Sequence, residues 1–181
     1  MILAAPGVKI IVLPPPVNGL IVDPITCKPS KIYTIRFSEE PKKLIYGSEI
    51  TYSAPPLSTL KADDYRDYVI SLGIRVRAAR RIGVPRYTCK VIYEMLWFIY
   101  LSKIGKVVNY TFKNIWLLSK KLTDELQLED LLDVIEYCYD VLTCKAMGYK
   151  YLNFITSTLN TLTSKHLTEY LDEETRMVLR L

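Results

Sequence analysis

The strongest chemical pattern in the sequence is arginine at short spacing. Arg75, Arg77, Arg80, Arg81 and Arg86 fall with Lys90 in GIRVRAARRIGVPRYTCK, a stretch that contains no acid and interleaves Tyr87. Each guanidinium can form a bidentate fork with phosphate, so nucleic acid is one partner that fits. Arginine is equally favoured at protein interfaces, where it meets carboxylates. The chain itself supplies carboxylates. Between Tyr68 and Thr123 it carries eleven Lys or Arg and one acid, Glu94, whereas residues 124–144 carry seven acids and no base. Among those acids Glu129, Asp133, Glu136 and Asp140 recur at spacings of four, three and four, which places them on one face of a helix. A block of like charge costs self-repulsion, so each block is expected to face opposite charge, either within the fold or on a partner. These nine residues are the candidate contacts for a protein partner or for DNA.

Other chemistry has less to work with. Phosphate loops of the GxxxxGK[ST] and GxGxxG types are absent from the sequence, as is a GxSxG elbow. The single histidine, His166, has no recognisable partner for nucleophilic catalysis and reads as a helix-surface or core-edge residue. Cys27, Cys89, Cys138 and Cys144 show no CxxC spacing, so they read as buried, reduced thiols and not as zinc ligands. The acidic stripe cannot enclose a cation from one helix alone. The chain is therefore read as a non-enzymatic protein, with no cofactor, metal or catalytic residue assigned.

The elements that must carry these residues follow from proline and from periodicity. Nine of the ten prolines lie between Pro6 and Pro56, which blocks long helices early and permits them afterwards. Residues 8–13, 31–37 and 42–46 are short β-branched or aromatic runs, so residues 1–56 are expected to form a small β module. Residues 57–181 are expected to form a larger helical domain, giving an α+β fold. Thr59 is placed to cap a helix that Gly73 ends, and Pro85 to open one that Gly105 ends. The latter contains MLWFIYL, apolar on every side, so Trp97, Phe98 and Leu101 are expected in the core. A helix over 111–122 follows. Thr123 is placed to cap another over 124–147, and a last segment runs over 150–171. A composition of 50% hydrophobic and 24% charged residues suits a chain with a real core. The longest apolar run, residues 95–101, is too short to span a bilayer, which predicts a cytosolic protein without a membrane partner. The scarcity of glutamine points to a thermophilic archaeal source.

Two stretches resemble a known family. VPRYTCKVIYEMLWFIY and YTFKNIWLLSKKL are similar to the proline, aromatic and long apolar helix, and to the Trp-containing helix with basic residues, of GINS replication-factor subunits whose β domain comes first. The resemblance implies a scaffold subunit of a hetero-oligomeric DNA-replication complex, linking the replicative helicase to a RecJ-like partner through protein contacts. The alternative is a winged-helix DNA-binding or transcription-regulating protein, with YKYLNFIT as the wing. In that arrangement the acidic stripe would enter the major groove against the phosphates.

Overall fold

The computed structural model describes residues 16–38, 52–126 and 131–181. Seven α-helices account for most of that length: α1 (Lys31–Ser38), α2 (Ala62–Ile82), α3 (Pro85–Ile104), α4 (Phe112–Leu126), α5 (Leu132–Leu142), α6 (Leu152–His166) and α7 (Glu173–Leu179). Of the described residues 72% are helical, and among them there is no strand or sheet. The only β pairing there is two isolated bridges, Val17 with Leu20 and Val22 with Pro29. The expected α+β fold with an N-terminal β module is therefore replaced by an all-helical one. Two of the three expected strands, 8–13 and 42–46, lie outside the described residues.

The third expected strand, 31–37, is helix α1, and the local reason is visible. Ser30 caps the helix by accepting from the Tyr33 amide at 3.2 Å, the role for which serine is favoured at a helix start. Thr34 then donates to the Ser30 carbonyl at 2.6 Å and accepts from the Ile21 amide at 2.9 Å. Ile32, Tyr33, Ile35 and Arg36 are buried, so packing overrides the β preference of KIYTIRF.

The centre of the molecule is α3. It packs on α2, α4, α5 and α6, and every residue from Val91 to Ile99 is buried. Pro85 is its first residue, and Gly105, in the left-handed conformation at φ 67°, ends it, as the sequence predicts. Trp97, Phe98 and Leu101 are core. The indole of Trp97 donates to the Val108 carbonyl at 3.1 Å, which fixes the loop after α3. The Tyr93 hydroxyl donates to the Ile135 carbonyl at 2.9 Å and ties α3 to α5.

Three boundaries differ from expectation. Helix α2 starts at Ala62, where the Asp64 carboxylate accepts from the Lys61 amide at 2.8 Å, while Thr59 sits in the preceding 3-10 turn. It also runs through Gly73 and ends at Gly83, φ 63°. Gly73 serves packing instead: a Cβ there would lie 2.9 Å from the terminal methyls of Leu179 and Leu181. Finally, Thr123 is interior to α4, and the expected helix over 124–147 is divided between the end of α4 and α5. Residues 149–157, read as a wing in the alternative, are a 3-10 turn (Gly148–Tyr151) leading into α6. No helix among the described residues is long and apolar enough to cross a membrane.

Candidate functional site

The arginine block is not one surface. Arg75 points inward from α2, where its guanidinium bonds the Glu94 carboxylate of α3 at 2.5 Å and lies 3.9 Å from Asp23. Arg36 of α1 holds the other oxygen of Glu94 at 3.0 Å. Its guanidinium also donates to the Tyr68 hydroxyl at 3.3 Å and stacks 4.2 Å from the centre of the Tyr110 ring. One buried carboxylate thus joins three helices. Burial alone would push Glu94 up, but Arg36 and Arg75 outweigh it and bring the carboxyl down to about 2. Burial likewise opposes the charge on Arg75, and Glu94 reverses that effect and raises its pKa. The one acid in the basic block is therefore a structural counter-ion.

Arg77 and Arg80 serve the end of the chain. Arg77 donates to the Val178 carbonyl at 3.3 Å, and Arg80 to the Arg180 carbonyl at 2.6 Å and to Asn160 at 2.8 Å. The Val178 and Arg180 carbonyls are left open where α7 ends, a place that favours cations, while Asn160 belongs to α6. The start of α7 is fixed by Asp172, which accepts from the Thr175 amide at 2.7 Å and pairs with Arg66 at 2.7 Å. Leu179 is buried beneath. Arg86 donates to the Val141 carbonyl in the last turn of α5 and to the Cys144 sulfur just beyond it. Only Arg81 is exposed without a hydrogen bond or ion pair to the described residues.

On the acidic side, Asp133 and Glu136 are exposed on α5, and Asp140 is half-buried with its carbonyl accepting from the Lys145 and Ala146 amides. Glu129 lies outside the described residues. Ion pairs between these acids and the five arginines are absent among the described residues, so the two blocks do not neutralise each other there. Cys89 and Cys138 are buried as expected, whereas Cys27 and Cys144 are exposed; all four are free thiols. The contact with Cys89, together with burial, raises the Cys138 thiol strongly. His166 is buried near the end of α6, where burial and then the charge of Lys103 lower its pKa. Groups of three or more potential metal ligands do not occur among the described residues.

A surface that sequence reasoning missed lies where the α2–α3 turn meets the segment joining α5 to α6. Met147 is 84% exposed, Tyr149 67%, Phe154 62% and Ile82 57%, with Val84 and Tyr151 also exposed. The two segments meet at Gly83, where a Cβ would lie 3.9 Å from the Leu152 side chain. Rings form a chain across the surface: Tyr137 meets Tyr151 edge-on at 4.6 Å between centroids, and Tyr151 lies 6.3 Å from Phe154. The Tyr137 hydroxyl donates to the Met147 carbonyl at 2.8 Å, which holds the exposed methionine in place. An open groove of about 330 Å³ runs beside it, lined by Val84, Pro85, Arg86, Val141, Cys144, Lys145, Ala146, Met147 and Tyr149. Lys150 extends over the Tyr151 ring at 5.6 Å. The signal was present in MGYKYLNF, whose aromatic density exceeds what a helix core needs. Without a partner face in the sequence, that density reads equally well as a strand.

Compared with models of protein families, with curated proteins and with solved structures, the chain matches none.

Proposed function

We propose that the chain is a non-catalytic assembly protein that docks a partner protein on the surface formed by Ile82, Val84, Met147, Tyr149, Tyr151 and Phe154. The observation that carries this reading is the exposure of these six apolar side chains, three of which, Val84, Met147 and Tyr149, line one groove. Contiguous exposed apolar surface rimmed by polar groups marks interaction sites on folded proteins. Aromatic residues, Met and Arg are also enriched in such interfaces. The surface is preorganised by the Tyr137 bond to the Met147 carbonyl and by ring contacts, which lowers the ordering cost of binding.

The more specific form of the reading is a scaffold subunit of a DNA-replication complex. It is supported by the GINS-like stretches, which form α3 and the start of α4, two helices that pack together in the core. Its DNA-contact element is weakened, because Arg75 is turned inward and paired with Glu94, and Arg77 and Arg80 are bound to carbonyls. Mass-resolved copurification from the native source provides the test. The wild-type chain is expected to bring a stable protein, and a Met147→Ser/Phe154→Ser variant to lose it without a change in melting temperature. Recovery of nucleic acid alone, or of the same protein with the variant, overturns the reading.

A further inference from the structure

Resting on the docking surface just described, we propose that its occupant is a short acidic protein segment whose apolar side chains cover Met147 and Phe154 while its carboxylates meet Arg86, Lys145 and Lys150. The charge inventory carries the inference. The groove is lined by two cations, Arg86 and Lys145, and by no carboxylate. Arg86 is bonded to a carbonyl and a thiol, neither of which cancels its charge. Lys145 lies over the Tyr139 ring at 5.5 Å, and Lys150 over Tyr151. Arg81 is exposed one residue before Ile82. Five cations elsewhere find carboxylates, Lys31 with Asp64, Arg36 and Arg75 with Glu94, Arg66 with Asp172, and Lys103 with Glu169, whereas Arg77 and Arg80 bond carbonyls. What sets the groove apart is its lining, which places two cations beside exposed apolar side chains with no carboxylate among them, and a negative partner complements it.

Two other occupants fit less well. A second copy related by a two-fold axis would set these cations against themselves, because such an interface presents the same patch from both sides. A single strand of nucleic acid would find rings to stack on. It would also find Ile82, Val84 and Met147, which offer no stacking face. Tyr137 of α5 packs on Tyr151, so the α5 face carrying exposed Asp133 and Glu136 borders the patch. A strand with a phosphate at every residue must pass that face, whereas a short peptide places its charges only where the cations are. Opposite charge across an interface chiefly steers the encounter and fixes register, and the apolar anchors hold the complex.

Panning a displayed library of random short peptides on the immobilised full-length chain tests the proposal. Enriched peptides are expected to combine Asp or Glu with Leu, Ile, Phe or Met. A synthetic copy of the strongest should lose about tenfold in affinity, about 1.4 kcal/mol, on Lys145→Glu/Lys150→Glu, and should weaken as salt is raised. Both lysines are exposed, so circular dichroism is expected to show an unchanged fold. Enrichment of neutral or basic peptides, or no enrichment, overturns the proposal. If peptide binding is lost in Met147→Ser/Phe154→Ser but not in the charge reversal, the docking surface stands and the acidic occupant falls. If neither variant matters, both readings fall. Labelled oligothymidylate that binds the wild type and not the lysine variant, or a concentration-dependent dimer abolished by Phe154→Ser, would replace the acidic peptide with nucleic acid or a second copy.

Discussion

Replacing Glu94 with glutamine isolates the one buried charge cluster found among the described residues. The carboxylate is 3% exposed, bonded to Arg36 at 3.0 Å and to Arg75 at 2.5 Å. Its folded value of about 2, against 4.5 for the free group, corresponds to about 3 kcal/mol of preference for the ionised form in the native state. An independent route gives a similar figure, since removing one member of a buried ion pair costs about 3–5 kcal/mol by leaving charge uncompensated. Asp23, 3.9 Å from Arg75, retains part of that compensation, so about 3 kcal/mol at pH 7 is expected for Glu94→Gln. The pH dependence has a definite sign. A depressed folded value means that the contribution is fully present above about pH 5 and is lost as pH falls from 4.5 towards 2. Urea unfolding of both chains at a series of pH values reads the difference directly, and carboxylates common to both cancel. The gap is expected to close as pH falls, because the protonated Glu94 side chain and the glutamine amide that replaces it are both neutral. A gap below about 1 kcal/mol at pH 7, or one that stays constant down to about pH 3, would refute the reasoning. Replacing all three members with Met or Leu is expected to cost less than Glu94→Gln alone, since no charge is then left buried.

Trp97→Ala should destabilise by about 3–5 kcal/mol in denaturant unfolding, because it empties a fully buried site on the central helix and removes the bond to the Val108 carbonyl. Gly73→Ala should leave global stability within about 1 kcal/mol, since the gain in helix propensity offsets the crowding. The new methyl meets the flexible ends of Leu179 and Leu181, so hydrogen exchange at residues 173–181 should quicken; unchanged protection there would mean that the tail does not depend on this close approach.

How much of the fold the sequence carries depends on whether the deciding contact is local. Pro85 and Gly105 bound α3 through the conformations they themselves permit, so both ends are readable from the chain alone. Gly73 looks like the same signal as Gly105 but answers to Leu179 and Leu181, at the far end of the chain. Nothing local distinguishes a glycine that ends a helix from one that admits a leucine. The α1 segment fails similarly: its β-branched residues state one preference, while Ser30 and burial against the core impose another. Burial, set by residues far along the chain, is what the local run does not state.

The candidate contacts divide along the same line. Charge segregation is plain in the sequence, yet it does not mark a binding face, because a guanidinium is rich in donors and the fold contains many open acceptors. Arg77, Arg80 and Arg86 are drawn to carbonyls where α7 and α5 end, and Arg75 to a carboxylate on the next helix. The ends of α7 and α5 create a local demand for positive charge, and α2 together with the first turn of α3 supplies it. Four of the five arginines are thus engaged by the architecture, and none of them pairs with exposed Asp133 or Glu136 of α5 among the described residues. Beside the exposed apolar surface, Arg81, Lys145 and Lys150 are exposed and pair with no carboxylate among the described residues, so they remain for a partner.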